Sequence, residues 1–346
     1  MGTADGPIFV VGSGRSGTSL LRSMLNAHPG LHLTHEGSYY LDQRAEAVAG
    51  DGRAWFDRYS ASFSFAFLGV PRSAVADRLS GLAAPTRRDA VTAIMAAAAE
   101  ARGKGRGGDK TPAHVRRLEV IAAEFPDARF VHVVRDPRAV VASLARMPWA
   151  TSSHGLNSFF CAQQVIAAGR FRGELLTVRL EDLVTDPEPE LRRILAFVRA
   201  DWDPAVLDHA AHGGGDDLPA FPWFTEAARP VGASAAAATS ARPSLALPPV
   251  WIRSVERTNA WTLREHGYER AVRLAEPTRA ERLAAHAADA REVAASAVRG
   301  ARAAALGLRR EPPPPDEALA AVCAVNPAAW AHYPGVTLPP VPPVLP

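Results

Sequence analysis

Four groups of residues in this chain have types and spacings suited to chemistry on an anion. The first lies in Pro7–Ala27, where Gly12, Gly17 and Ser19 fall on the phosphate-loop spacing G-x-x-x-x-G-K-[ST] while Thr18 takes the lysine position. Such a loop keeps the backbone N–H groups at a helix N-terminus that bind an anion. It drops the lysine that reaches the β- and γ-phosphates of a nucleoside triphosphate. The combination points to a phosphate-like ligand that is not a triphosphate.

The second group is Arg129–Ser143. An apolar strand delivers Arg135 to its carboxyl end, where ligands of open α/β sheets bind. Asp136 is placed to cap the next helix and Pro137 suits its first turn. Ser143 follows about two turns along, so a guanidinium and a hydroxyl bracket a second phosphate. The third group, Lys110-Thr111-Pro112, sets a cation before a capping threonine and a first-turn proline, where it opposes the helix dipole unless an anion binds. The alternative is a solvated lysine on a turn after the glycine-rich 103–108. The fourth is Glu36, after the second strand: a candidate general base or a plain helix-start carboxylate. His35 is its rival, and adjacent strand residues point to opposite faces, so only one of the two is expected to face the cleft.

The elements that must position these groups read as α/β. Strands are predicted at Ile8–Val11, Leu31–Thr34, Arg129–Val134 and Leu175–Val178. Helical patterns separate them at Thr18–Ala27, Ala113–Glu124, Arg138–Arg146, Gly155–Arg172 and Glu188–Val198. The alternation implies a central parallel sheet covered on both faces, a three-layer P-loop-like fold. Residues 37–108 show no strand pattern and read as a helical, acceptor-side insertion. It carries an aromatic cluster of Tyr39, Tyr40, Trp55, Phe56, Tyr59, Phe63, Phe65 and Phe67. A second cluster, Phe221, Trp223 and Phe224, lies in an irregular stretch. The aromatics fill a small helical core or line a cleft.

Residues 1–270 form the main domain in this reading, 271–311 a long helix and 312–346 a proline-rich tail. Thr278 and Glu281 make a capping box that opens the helix. It is either a strut packed on its own domain or an arm for a partner or homodimer. The net charge of +3 gives no strong basic excess, and nucleic acid is not an expected partner. Cys161 and Cys323 lack metal-ligand spacing and read as reduced core thiols of a cytoplasmic protein. The first strand begins too early for a signal peptide. The most apolar run, Thr92–Ala99, falls far short of the ~20 residues of a membrane span. The Ala/Arg/Pro bias suggests a bacterial source.

Gly14-Arg15-Ser16-Gly17-Thr18-Ser19 resembles the 5′-phosphosulfate loop of sulfotransferases that use 3′-phosphoadenosine 5′-phosphosulfate (PAPS), and Arg135–Ser143 resembles their 3′-phosphate motif. The similarity continues through Asp109–Pro112 and Val178–Pro187, covers about Pro7 to Tyr268, and is closest to the branch with tyrosylprotein sulfotransferases and bacterial relatives. It implies sulfuryl transfer from PAPS to a hydroxyl of a small-molecule, lipid, glycan or peptide acceptor. It implies a cofactor loop of Ser13, Gly14, Arg15, Ser16, Gly17, Thr18 and Ser19, with Arg15 and Lys110 on the phosphosulfate. Arg135 and Ser143 then hold the 3′-phosphate, Glu36 is the base, and no metal takes part. Gly14 stands where that branch usually has proline, and Leu180 where it often has tyrosine near the adenine. The glycine-rich C-terminal cofactor motif of cytosolic sulfotransferases is absent, and Ser240 and Arg242 are the candidates for its replacement.

Two rivals remain at this level. A P-loop kinase or NTPase gains from Phe130–Asp136, which mimics the strand and aspartate of a magnesium site. A non-catalytic nucleotide-binding scaffold would work through the long helix and the tail.

Overall fold

A computed structural model of the chain describes residues 5–41, 48–213, 221, 247–270, 274, 276–307, 315–326, 329, 331, 341–342 and 345. Its sheet has five parallel strands: β1 (Ile8–Gly12), β2 (Leu31–His35), β3 (Arg106–Lys110), β4 (Arg129–Val134) and β5 (Leu175–Arg179). They lie in the order β2-β3-β1-β4-β5. The helix α1 (Thr18–Ala27) joins β1 to β2. Between β2 and β3 run α2 (Gly52–Tyr59), α3 (Phe63–Ala66), α4 (Arg72–Ser80) and α5 (Arg87–Glu100). A 3-10 turn (Pro112–Arg116) and α6 (Leu118–Glu124) lead into β4, and α7 (Pro137–Leu144) and α8 (His154–Arg170) into β5. Then come α9 (Leu180–Thr185), α10 (Pro187–Phe197), α11 (Pro249–Thr258), α12 (Ala260–Glu265), α13 (Arg279–Gly307) and α14 (Pro315–Cys323).

Strand alternation builds two cores. Ile8 and Val10 of β1 face α1 and α10, packing with Leu21, Met24, Leu25, Leu191 and Ile194. Phe9 and Val11 face the other way, toward Ile94, Val115, Ile121 and Phe130. Tyr39, Tyr40, Trp55, Phe56, Tyr59 and Phe65 join that second core. Fully burying a large side chain contributes about 1.5–3 kcal/mol, so this cluster fastens the insertion to the sheet.

The four strands legible in the sequence form as expected, each within a residue of its predicted end. β3 is the exception: Arg-Gly-Gly-Asp-Lys has no apolar run, yet it sits between β2 and β1. Its neighbours leave no room for side chains at the two glycines. A Cβ on Gly107 would lie 2.8 Å from Met95 O, and one on Gly108 would run into Ile8 O. The glycine-rich stretch turns only through Gly105; from Arg106 it is a strand inside the sheet, and the helical insertion ends before it. The helix expected over 113–124 divides into the 3-10 turn and α6.

The Thr278–Glu281 capping box is present: Glu281 Oε2 accepts from Thr278 N at 2.7 Å, and Glu281 N donates to Thr278 Oγ1 at 3.2 Å. The long helix α13 packs on its own chain. Ser153 Oγ donates to Asp289 Oδ2 at 2.8 Å, Thr151 and Ser296 share a hydroxyl contact of 2.7 Å, and His286 meets Trp251 edge-on. Within the segment read as a proline-rich tail, Pro315–Cys323 is helical, with Asp316 and Glu317 in its first turn where the helix dipole favours acids. Among the described residues, no helix is long and apolar enough to cross a membrane.

Candidate active site

The loop between β1 and α1 is shaped as an anion cradle. Gly17 is the left-handed N-cap of α1, with φ 98°, and Leu180 packs where a Cβ on it would sit. No side chain caps α1 and no acid lies in its first turn. The first-turn N–H groups and the positive end of the helix dipole therefore face the loop. Arg15 holds a left-handed φ of 68°, a strain of about 1–3 kcal/mol kept only where surrounding contacts fix it. They do so here. Ser16 N and Oγ both donate to Ser13 O, at 3.1 and 2.7 Å, and Arg135 Nη1 donates to Arg15 O at 3.0 Å.

Arg15 also ties this loop to the second motif, since its Nε donates to Ser143 Oγ at 3.1 Å. Arg135 follows the carboxyl end of β4, and Ser143 lies in the last turn of α7. Asp136 caps α7 by accepting from Arg138 N, and Pro137 is its first residue. The Asp136 carboxylate also receives the Arg138 guanidinium on both oxygens, and Arg138 reaches on to Glu256 Oε1 at 2.7 Å. That pairing consumes the carboxylate which a magnesium site would need, so the kinase or NTPase reading loses its main support.

Lys110 ends β3 and is fully buried; it is not a solvated lysine at a helix start. Its Nζ donates to Glu36 Oε1 at 2.8 Å and lies 3.0 Å from His35 Nε2. Lysine has donors only, so His35 Nε2 accepts and the ring proton belongs on Nδ1. Burial first, then the charges of Lys110 and Arg22, holds the His35 imidazole well below its ordinary pKa. Burial likewise lowers Lys110, while Glu36 opposes the shift.

Both His35 and Glu36 line the cavity, against the expectation that only one would. The strand ends at His35, and Glu36 turns out of extended geometry with φ 51°, followed by Ser38 at 53°. Alternation holds only while the chain remains a strand. A network that the sequence reading missed secures this turn. Glu36 N donates to Lys110 O at 2.8 Å, Gly37 N to Asp109 Oδ1 at 3.1 Å, and Ser38 N to Thr111 Oγ1 at 3.1 Å. Tyr59 Oη donates to Gly37 O at 2.5 Å. Asp109 is fully buried, accepts from Thr34 Oγ1 at 2.9 Å, and lies 3.1 Å from His114 Nδ1. In the sequence, Asp109 shows only as an aspartate between two glycines and Lys110, within the Asp109–Pro112 part of the family resemblance.

A cavity of about 350 Å³ lies between the loop and the helices. Arg15, Thr18, Ser19, His35, Glu36 and Thr111 line it, together with Phe63, Phe67, Trp149, Phe221, Leu319, Val322 and Cys323. The aromatic clusters therefore divide: most of the first is core, while Phe63, Phe67 and Phe221 reach the cavity. Trp149 and the α14 residues were not foreseen, although Leu319, Val322 and Cys323 keep helical i, i+3, i+4 spacing. A Cβ on Gly14 would lie 3.1 Å from Trp149 Cη2, so the glycine leaves room for that ring. Cys161 and Cys323 are buried thiols, and burial pushes them up to about 12 and about 11. Ser240, Arg242, Trp223 and Phe224 lie outside the described residues.

Residues 7–204 match the sulfotransferase family. A protein-tyrosine sulfotransferase of Drosophila melanogaster is 26% identical over 215 residues, which cover 58% of this chain and 40% of that one. Protein-tyrosine sulfotransferase A of Caenorhabditis elegans is 28% identical over 215 residues, 58% of this chain and 52% of its own. The chain thus spans about half the length of the curated relatives it matches. The sulfotransferase domain of the Synechococcus PCC 7002 olefin synthase shares the fold, with a TM-score of 0.52, 22% identity, and coverage of 75% of this chain and 95% of that one. With a lysine-free phosphate loop joined to an arginine–serine pair on a matching parallel sheet, this chain belongs to the sulfotransferase family.

Proposed function

We propose that this protein transfers a sulfuryl group from PAPS to an acceptor hydroxyl by in-line displacement. The observation that carries the reading is Arg15, which bridges the two phosphate motifs: its Nε bonds Ser143 Oγ and its carbonyl receives Arg135. The donor set fits a ligand with two separated phosphates. The uncapped N-terminus of α1 and Arg15 suit the 5′-phosphosulfate, and Arg135 and Ser143 suit the 3′-phosphate. Bound PAPS supplies the sulfuryl group. Glu36 accepts the proton of the acceptor hydroxyl. Lys110 stabilises negative charge on the departing side, from a buried position where such stabilisation is strong. Aromatic and aliphatic residues line one side of the cavity and give the acceptor an apolar face to rest on. The two buried cysteine thiols support a reducing, cytoplasmic setting.

The test is thermal stabilisation by nucleotides. A ligand that binds only the folded state at 100 times its Kd adds about 2.7 kcal/mol. Adenosine 3′,5′-bisphosphate is expected to raise the melting temperature in EDTA, with ATP and magnesium giving much less. Equal stabilisation by the two would sink the assignment.

A further inference from the structure

The C-terminal helix α14 lies beyond the family match at residues 7–204, yet it forms part of the cavity wall through Leu319, Val322 and Cys323. Its position is fixed. Arg299 of α13 donates to Val325 O at 2.6 Å, and Asn326 donates to Ala145 O at 2.9 Å and Pro148 O at 2.8 Å. The long helix thereby carries the chain back to the segment that bears Trp149. Leu319 and Cys323 belong to one continuous apolar cluster with Phe221, against which Phe63, Phe67 and Trp149 pack.

We propose that the acceptor is a compact, uncharged alcohol or phenol with an apolar body, and that α14 is the wall that selects it. This rests on the sulfuryl-transfer reading above. The cavity, at about 350 Å³, is at the low end of the ~300–1,000 Å³ of small-molecule sites. Arg15 is the sole cation among its described lining residues, and it is turned to Ser143. Glu36 adds a carboxylate to the same space, and Lys110, which pairs with it, is not among the described lining residues, so an acidic peptide segment would meet little compensating charge from the described wall. A neutral acceptor leaves no buried charge unpaired. It sets its apolar body against the aromatic and α14 side and its hydroxyl toward Glu36. In the transfer the hydroxyl oxygen bonds to sulfur, and the bond from sulfur to the 5′-phosphate oxygen breaks. The hydroxyl proton goes to Glu36. The products are a sulfate monoester and adenosine 3′,5′-bisphosphate.

The experiment uses the full chain with PAPS and three acceptors: 2-naphthol, 1-octanol, and a tyrosine peptide flanked by glutamates. Binding of adenosine 3′,5′-bisphosphate is measured in parallel by calorimetry. The neutral alcohols are expected to give sulfate esters at a kcat/KM exceeding that of the peptide by about 100-fold or more. Leu319→Arg and Val322→Trp are each expected to lower kcat/KM for the alcohols by about tenfold or more, with bisphosphate affinity unchanged. If Leu319→Arg does not fold, Val322→Trp, at a half-buried position, carries the comparison alone. A preference for the peptide, no ester from either alcohol while the nucleotide still binds, or a folded wall variant with unaltered kinetics would each overturn the proposal. Failure of the wild-type chain to bind the bisphosphate would instead overturn sulfuryl transfer itself.

Discussion

Lys110 Nζ lies 2.8 Å from Glu36 Oε1, so the buried cation at the end of one strand is paired with the carboxylate just past the end of its neighbour. The register of the sheet makes this contact: β2 and β3 run parallel with His35 opposite Lys110. One ammonium thus holds both neighbouring candidates for the base. In the proposed reaction, a bound anion that draws on Lys110 would compete with Glu36 for it and so couple the donor side to the acceptor side.

Glu36→Gln keeps the shape and the contact to Lys110 but cannot take a proton. Turnover is expected to fall by about 10²–10⁴-fold, with little change in affinity for adenosine 3′,5′-bisphosphate. His35→Ala removes an acceptor from Lys110 and leaves the carboxylate in place, so its loss in turnover should be the smaller of the two. Rates at saturating PAPS check the order, and a larger defect in His35→Ala reverses the assignment of the base.

Arg135→Ala removes both a charge and the donor to Arg15 O. Nucleotide binding should weaken by about 1.5–3 kcal/mol, and Ser143→Ala, which removes a neutral acceptor of Arg15 Nε, should cost about 0.5–1.5 kcal/mol. Calorimetry with adenosine 3′,5′-bisphosphate measures both. An unchanged Kd in the arginine variant would place the 3′-phosphate elsewhere.

Asp109 acts through the turn it holds. Asp109→Ala strips an acceptor from Gly37 N and Thr34 Oγ1; Thr34 keeps Tyr39 Oη and Gly108 O as partners, but the buried Gly37 N is left unsatisfied at about 1–3 kcal/mol. The left-handed Glu36 then loses a support, so kcat should drop while nucleotide affinity changes little. Asp109→Asn retains an acceptor oxygen and should recover much of kcat. If neither variant alters kcat beyond what lost stability explains, Asp109 is structural only.

Burial, with a smaller contribution from His266, pushes His132 from 6.5 down to about 3. Below pH 6.5 the unfolded chain takes up a proton that the folded chain refuses. The stabilisation is therefore complete above 6.5 and is lost as the pH falls toward 3, at about 1.4 kcal/mol per pH unit for this one group. His35 works in the same direction. Urea melts at pH 7.5, 6 and 5 should show the slope, and His132→Gln should remove about one proton's share of it. A slope identical in the variant would mean that His132 does not contribute.

The sequence alone determined the glycine loop between β1 and α1 and four of the five strands, among them the one that delivers Arg135. Those features are local. A short apolar run bounded by polar or turn residues signals a strand, and a glycine takes the left-handed N-cap conformation at no steric cost. The tertiary structure decided what lies next to what. β3 has no apolar pattern because Met95 and Ile8 crowd its glycines, and only its place between β2 and β1 turns Lys110 from a surface cation into a buried one. Glu36 and His35 reach the same nitrogen because the turn after β2 is held by Asp109, Thr111 and Tyr59, residues 21 or more positions away in the chain. The cavity wall from α14 depends in the same way on anchors at Ala145 and Pro148. Propensity and periodicity act over a few residues, whereas these contacts are fixed by strand register and close packing, which no short window of sequence contains.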